Sequence, residues 1–125
     1  MDERGGQVVS IVDDDASLRR SLRNLLTSAG LGVETFESAE LFLESSSPDT
    51  TGCLVLDVRM PGMGGLGLLK RLVAAGSRIP VIILTAHGDD DTRQRSLEAG
   101  AVAFLEKPVQ GAALLNAIRN ALAAG

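Results

Sequence analysis

Acidic, hydroxyl and basic side chains stand where apolar runs of the sequence end. The apolar run 53–56 leads directly into Asp57 and then into a Pro-Gly turn, which is typical of a buried strand that delivers one side chain to a loop. Asp also ends strands merely because it begins turns, so this position alone decides little. Other apolar runs end in the same manner, and the residues that follow them are Asp13, Asp14, Thr85 and Lys107.

These residue types together favour phosphoryl chemistry. Three carboxylates within a few Å repel one another by several kcal/mol at an effective dielectric of about 20, so a cation is needed to hold them. Oxygen ligands without His or Cys favour Mg²⁺ over zinc. Asp57 is then a candidate nucleophile towards a phosphoryl group, Lys107 can neutralise the phosphoryl oxygens, and the Thr85 hydroxyl can donate a hydrogen bond to them.

The elements that must position these residues alternate between strands and helices. Apolar runs predict strands at 8–12, 33–36, 53–57, 79–84 and 103–105, and the residues 45–52 form a loop. Helical spacing predicts helices at 16–29, 38–43, after Gly65, at 89–99 and around 114–122. Five strands alternating with five helices predict an α/β fold, a doubly wound parallel sheet with helices on both faces. The carboxyl ends of such strands share one crevice, where all five polar residues should meet.

Composition limits the classes of protein that fit. The chain has 125 residues, a net charge of -4, 45% hydrophobic residues and 2% aromatic residues, which suits one domain with an aliphatic core and no nucleic-acid surface of its own. The single Cys53 lies in an apolar run and is predicted to be a small buried hydrophobe. The start of the chain has neither a basic nor a long apolar segment, and no run is long enough to cross a membrane, so we expect a cytoplasmic protein.

Four segments of the sequence resemble motifs of response-regulator receiver domains of bacterial two-component signalling, and the resemblance covers essentially the whole chain. The matching segments are Ile11-Val12-Asp13-Asp14-Asp15, Asp57 through the glycines to Gly65, Leu84-Thr85-Ala86 and Phe104-Leu105-Glu106-Lys107-Pro108. The resemblance implies a flavodoxin-like strand order 2-1-3-4-5 and a single receiver domain over residues 1–125, either stand-alone or cut from a longer regulator. The second is favoured, because the segment from Gly100 is most similar to receivers joined to DNA-binding output domains.

The resemblance also implies roles for individual residues. Asp57 would accept a phosphoryl group from a sensor histidine kinase. The metal ligands for Mg²⁺ would be Asp13, Asp14, Asp57 and the Arg59 backbone carbonyl. The resemblance further implies that Thr85 and Phe104 move on phosphorylation and that the Lys107-Pro108 peptide bond is cis. Such a domain catalyses only its own phosphorylation and dephosphorylation and would reach DNA only through an output domain absent from this chain.

Two residues near the expected phosphoryl site are features of this particular chain and not of the family motifs. Arg59 lies two residues after Asp57, and His87 lies two residues after Thr85. If the resemblance holds, both flank the phosphoryl group and set its lifetime. For His87 a solvent-exposed loop position is an equal alternative.

The segment 89–99 carries few apolar residues and is predicted to be loosely seated. Leu97 and Ala99 would supply about 2 to 5 kcal/mol of apolar anchoring, less than the Leu-rich helices have. We therefore expect phosphorylation to remodel the surface formed by this helix and the strand 103–106, and this surface to form a homodimer or release an output domain.

Two alternatives come from other classes. A metal-dependent phosphohydrolase with an aspartyl-phosphate intermediate would place an acidic residue two positions after the nucleophile, where this chain has Arg59. A flavin-binding module on the same fold is disfavoured by the absence of Trp and Tyr, and visible absorbance of the purified protein would reveal it.

Overall fold

The computed structural model describes residues 8–45, 47–60, 62–86 and 90–124. Within them the chain forms one parallel sheet of five strands in the order β2-β1-β3-β4-β5, as expected. The strands are β1 (Val8–Val12), β2 (Gly32–Phe36), β3 (Thr51–Asp57), β4 (Val81–Thr85) and β5 (Ala103–Glu106). The strand β2 lies at one edge, and β3 lies at the centre.

Helices follow each strand, and among the described residues they are α1 (Ala16–Ser28), α2 (Ala39–Glu44), α3 (Gly64–Ala74), α4 (Asp90–Glu98) and α5 (Gly111–Ala124). Two of them, α1 and α5, pack their buried leucines and isoleucine on one face of the sheet. Helices α2 and α3 pack on the opposite face, together with Ala99, the residue that follows α4. This is the doubly wound arrangement predicted from the sequence.

The sheet strands alternate between two apolar cores. In β3, Cys53 and Val55 contribute to the core beneath α1 and α5, and Leu54 and Leu56 to the core beneath α2 and α3. This alternation is the period-2 geometry of a strand, and both faces are covered, so β3 is almost wholly buried. Burial raises the pKa of the Cys53 thiol to about 12, which fits its predicted place in the core.

Helix α1 shows why its ends lie where they do. The Asp15 carboxylate accepts hydrogen bonds from the Ser17 and Leu18 backbone N–H groups at 2.9 and 3.2 Å, and it is therefore the N-cap. Gly30 has a φ of 87°, and the Leu31 N–H donates to the Leu26 carbonyl at 3.1 Å, which closes the carboxyl end. A single acid thus caps the helix, so Asp13 and Asp14 are not needed for that purpose.

Several boundaries differ from those predicted. The strand β4 begins at Val81 rather than at residue 79, since Pro80 has no N–H to donate to a ladder, although its carbonyl still accepts from Leu54 N at 2.9 Å. The predicted loop 45–52 contains a short 3-10 helix at Ser47–Asp49 and the first residues of β3. Asp89, the predicted first residue of the fourth helix, lies outside the described residues.

The prediction that Leu97 anchors α4 is wrong. Leu97 is 41% exposed, and the residue of α4 that is fully buried is Ser96. The helix turns a serine to the sheet, so the apolar anchoring beneath it is smaller than the leucine pattern suggested.

Helix α3 begins at Gly64, inside the segment expected to be a loop. A Cβ atom at Gly65 would lie 2.0 Å from the Asp57 carbonyl oxygen and 2.8 Å from the Val58 Cα, so only glycine fits there. The glycine lets the first turn of α3 approach the end of β3, and the Gly65 N–H donates to the Val58 carbonyl at 3.3 Å. In the part of the chain that the structure describes, no helix is long and apolar enough to cross a membrane.

Candidate functional site

The carboxyl ends of β1, β3 and β5 bring Asp13, Asp57 and Lys107 together. The Lys107 Nζ lies 2.9 Å from Asp13 Oδ2 and 3.4 Å from Asp57 Oδ2. Asp13 is 1% exposed and Asp57 is 5% exposed, so both carboxylates face the crevice and not bulk solvent. The three residues are far apart in sequence, and the parallel sheet alone makes them neighbours.

Asp14 completes an acidic cluster. One carboxylate oxygen each from Asp13, Asp14 and Asp57 lies within 4.8 Å of the others, and Asp14 is the exposed member. The Asp13 carboxylate is oriented by the Asp15 N–H, which donates to its Oδ1 at 2.9 Å. Consecutive acids therefore have separate tasks, with Asp15 capping α1 and the two before it facing the crevice.

Backbone hydrogen bonds fix the loop that follows Asp57. The Arg59 N–H donates to Asp57 Oδ1 at 3.1 Å, and the Val58 N–H donates to the Leu84 carbonyl at 3.3 Å. The Asp57 side chain is thus held by its own loop on one oxygen and by Lys107 on the other.

The electrostatics of the site follow from burial and charge. Burial raises the pKa of Asp57, and the neighbouring Asp13 adds to this, while the Arg59 N–H and Lys107 lower it without cancelling the rise. Burial lowers the pKa of Lys107, but its hydrogen bond to Asp13 and its attraction to both carboxylates outweigh burial, so the net pKa is raised. Lys107 is therefore an ammonium at neutral pH.

Thr85 and Phe104 lie on the adjacent strands β4 and β5. Thr85 is fully buried at the end of β4, and its carbonyl accepts a hydrogen bond from the Lys107 N–H at 2.8 Å. Phe104 pairs with Ile83 in the β4–β5 register and packs, half-buried, against the core beneath α2 and α3. Strand alternation puts Thr85 on that same face. The Lys107-Pro108 peptide bond is cis, as the resemblance implied.

The two residues expected to flank a phosphoryl group are placed unequally. Arg59 is exposed in the loop after β3, two residues from the Asp57 carboxylate. His87 lies outside the described residues, so the expectation for its side chain stays a prediction.

Two residues near the site were not found from the sequence. Arg19 Nη1 donates to the Asp13 carbonyl oxygen at 2.6 Å, from the first turn of α1. Glu40 Oε2, on α2, accepts from the Met63 N–H at 2.9 Å and so contacts the loop between Asp57 and α3. Neither contact follows from periodicity, because each joins a polar residue to backbone that is brought near by the fold.

The family model for the response regulator receiver domain matches residues 9–119. The chain belongs to this family. A receiver domain is a phosphorylation-activated signalling switch and not a metabolic enzyme, as predicted. The comparisons give no support to the phosphohydrolase alternative.

Relatives and solved structures agree with this assignment. Nodulation protein W of Bradyrhizobium diazoefficiens is 48% identical over 89% of this chain and 49% of its own length. Transcriptional regulatory protein FixJ of Azorhizobium caulinodans is 46% identical over 91% of this chain and 54% of its own length. The crystal structure of FixJ-N is 40% identical with a TM-score of 0.85, covering 98% of this chain and 95% of that one. The chain therefore spans about half the length of the curated relatives it matches and nearly all of the FixJ-N structure.

The raised pKa of Asp57 predicts that the charge on this carboxylate lowers the free energy of unfolding, by an amount that depends on pH. Since the folded-state pKa lies above the unfolded value of about 4, the folded protein binds the proton more tightly, and ionisation of Asp57 destabilises it. In EDTA, Asp57→Asn should therefore have a higher free energy of unfolding than wild type at pH 7.5. The gain should shrink as the pH falls through the folded-state pKa towards about 4.

Urea unfolding across this pH range measures the difference, and Asp49→Asn, at an exposed carboxyl, controls for the loss of one negative charge. A less stable Asp57→Asn at pH 7.5, or a gain that is constant with pH, would contradict the prediction.

Proposed function

We propose that this domain accepts a phosphoryl group on Asp57 from a sensor histidine kinase and passes the signal to the surface formed by α4 and β5. The observation that supports this best is the Asp57 carboxylate itself, nearly buried, oriented by the Arg59 N–H and 3.4 Å from the Lys107 ammonium. Transfer would form a bond from an Asp57 oxygen to phosphorus as the phosphorus–nitrogen bond of a phosphohistidine breaks. The domain would catalyse its own phosphorylation and dephosphorylation only.

The residues present fit Mg²⁺. The cluster offers oxygen ligands alone, and one ammonium leaves two of its three negative charges uncompensated. Asp13, Asp14, Asp57 and the Arg59 backbone carbonyl would hold the ion. Bound there, Mg²⁺ would neutralise charge that develops on the phosphoryl oxygens.

The chain's own side chains would complete the site. Lys107 would neutralise a phosphoryl oxygen, because the contact with Asp13 holds its ammonium charged beside Asp57. The Thr85 hydroxyl would donate a hydrogen bond to another oxygen from the end of β4.

Asp57 should be the phosphorylated residue, because it faces Lys107 and the other two carboxylates from a fixed strand end. Intact mass after incubation with a small acyl phosphate and Mg²⁺ should rise by one phosphoryl group in wild type and not in Asp57→Asn. Asp49→Asn is the matched control and should label fully. Unchanged labelling of Asp57→Asn would remove Asp57 from this role.

Arg59 and His87 should set the phosphoryl lifetime without being needed for its formation. Arg59 is exposed two residues after Asp57, and its guanidinium would pair with a phosphoryl oxygen or shield it from water. Arg59→Ala and His87→Ala should label fully and then lose phosphate at a changed rate, followed by mass after removal of the donor. Hydrolysis at the wild-type rate in a variant would show that its side chain points away.

Helix α4 is the element that can shift at least cost. Its residues are polar, Leu97 is 41% exposed, and the fully buried Ser96 has a hydroxyl without a hydrogen-bond partner among the described residues. A buried hydroxyl without a partner costs about 1 to 3 kcal/mol, so burial of Ser96 near the carboxyl end of α4 would not stabilise the helix as a buried leucine does. This supports the expected output surface more strongly than the sequence did.

A route from Asp57 to α4 runs through Thr85 and Phe104. Drawing the Thr85 hydroxyl towards a phosphoryl group would free space on the face where the Phe104 ring packs, and the ring could turn inward beneath α4. The surface of α4 and β5 would then form a homodimer or release an output domain. A coupling of about 1 to 3 kcal/mol between phosphate and this rearrangement would suffice.

Hydrogen exchange with and without Mg²⁺ and beryllium fluoride, a phosphoryl mimic, measures this route. Protection should change mainly between residues 85 and 106, and Asp57→Asn treated in the same way should show no change. If protection changed on α1 while residues 85–106 stayed constant, the route through Thr85 and Phe104 would be wrong.

The relatives support proposals about the protein to which this domain belongs. The FixJ proteins are named transcriptional regulatory proteins, and the chain spans about half of their length. We infer that residues 1–125 form one receiver domain, that any contact with DNA belongs to an output domain outside this sequence, and that the switch works in the cytoplasm. The kinase is the expected partner, and no membrane contact is proposed.

A further inference from the structure

A carboxylate from α2 caps the helix that follows the Asp57 loop. Met63 is the N-cap residue of α3, and its own side chain makes no capping hydrogen bond. Instead Glu40 Oε2 accepts a hydrogen bond from the Met63 N–H at 2.9 Å, across 23 residues of sequence. A negative group at a helix N-terminus is stabilised by the unpaired N–H groups there, so the contact joins α2 and α3 favourably.

The loop is shaped to fit this carboxylate. A Cβ atom at Gly62 would lie 2.7 Å from Glu40 Oε2, and Gly62 has a φ of 78°, which side chains rarely adopt. The Met63 N–H lowers the pKa of Glu40, which keeps the group ionised at neutral pH. Glycine at position 62 therefore leaves room for the Glu40 carboxylate beside the backbone.

Helix α2 gives Glu40 a fixed base. Ala39 and Phe42, on either side of Glu40, are both fully buried, and the rings of Phe36 and Phe42 meet edge to face at 5.4 Å. Ser38 caps the helix by accepting from the Leu41 N–H at 3.1 Å. A carboxylate on such a helix can hold the loop against the body of the domain.

We propose that Glu40 is a positioning residue for the metal and phosphoryl site, acting through the loop between Asp57 and α3. At one end of this loop the Arg59 N–H donates a hydrogen bond to Asp57, and at the other end the Met63 N–H donates one to Glu40. The Arg59 carbonyl, the backbone ligand of the proposed Mg²⁺ site, lies in the chain between these two hydrogen bonds. The inference rests on the proposed function, since it concerns the geometry of that ligand.

Calorimetric titration with Mg²⁺ tests the proposal on four variants. Glu40→Ala should raise the Mg²⁺ dissociation constant roughly tenfold, as loss of a group that orients a metal ligand does. Glu40→Gln, whose amide oxygen can still accept from Met63, should stay near wild type, and the shorter Glu40→Asp should behave like the alanine variant. Glu44→Ala removes an exposed carboxylate from the same helix and should bind Mg²⁺ like wild type.

The rate of phosphorylation by a small acyl phosphate distinguishes a misplaced metal ligand from a globally weakened fold. Glu40→Ala should be slowed by a similar factor at limiting Mg²⁺ and recover at saturating Mg²⁺, which a globally weakened fold would not do. The proposal is overturned if Glu40→Ala matches Glu44→Ala in affinity, or if Glu40→Gln loses as much as Glu40→Ala.

Should the alanine variant fail to fold, the Gln and Asp variants decide, and equal Mg²⁺ affinity in these two overturns the proposal. A wild-type protein that neither binds Mg²⁺ nor takes up phosphate would instead refute the proposed function. Wild-type activity together with an unaffected Glu40→Ala refutes the role of Glu40 alone.

Discussion

The repulsion among three carboxylates at the carboxyl ends of β1 and β3 is the constraint on which the rest of the structure depends. Asp13 and Asp57 are nearly excluded from solvent, and water cannot separate their charges as it does at a surface. The strands that carry them are neighbours in a sheet with apolar residues on both faces, so the backbone cannot move apart without opening the core. The domain therefore holds a charge arrangement that is unfavourable by itself, and the contact with Lys107 relieves part of it. In the proposed function the remaining repulsion among the carboxylates favours binding of a divalent cation.

Most of the fold could be predicted because each strand and helix carries its own local signal. The strands β1, β3 and β5 are apolar runs that lead into charged residues. Helix α1 has an aspartate N-cap, Asp15, and a glycine, Gly30, after its carboxyl end. The boundaries that were missed depend on contacts between distant residues. The glycine at position 65 predicted a loop, yet Gly65 lies in the first turn of α3, where the Asp57 carbonyl leaves no room for a side chain. Leu97 fitted a helical pattern but faces solvent, since periodicity cannot tell which way a mostly polar helix rotates.

The candidate site could be located because parallel strands end on a common side. That rule needs only the position of each polar residue at a strand end, and it predicts from the sequence that Asp13, Asp57 and Lys107 lie together. The contacts of Arg19 and Glu40 obey no comparable rule. Both are charged residues on helices, where a solvated charge is the ordinary expectation, and each donates to or accepts from backbone rather than from another side chain. Such contacts depend on how a helix is rotated and how a loop passes it, which the sequence pattern does not contain.

The helices differ in how much apolar surface they bury, and this difference explains why phosphorylation of Asp57 would move one helix and not the others. A buried leucine contributes about 1.5 to 3 kcal/mol, and α3 buries three of them, at 68, 69 and 72, so moving it would cost more than a phosphoryl group could supply through one hydrogen bond. Helix α4 buries no leucine, only Ser96, whose hydroxyl has no hydrogen-bond partner among the described residues. A coupling of about 1 to 3 kcal/mol is therefore too small to displace α3, whereas α4 has no buried leucine that would oppose its movement. Because Thr85 ends the strand just before α4, the weakest helix on that face is also the one next to the site, and a signal from Asp57 would be directed to it.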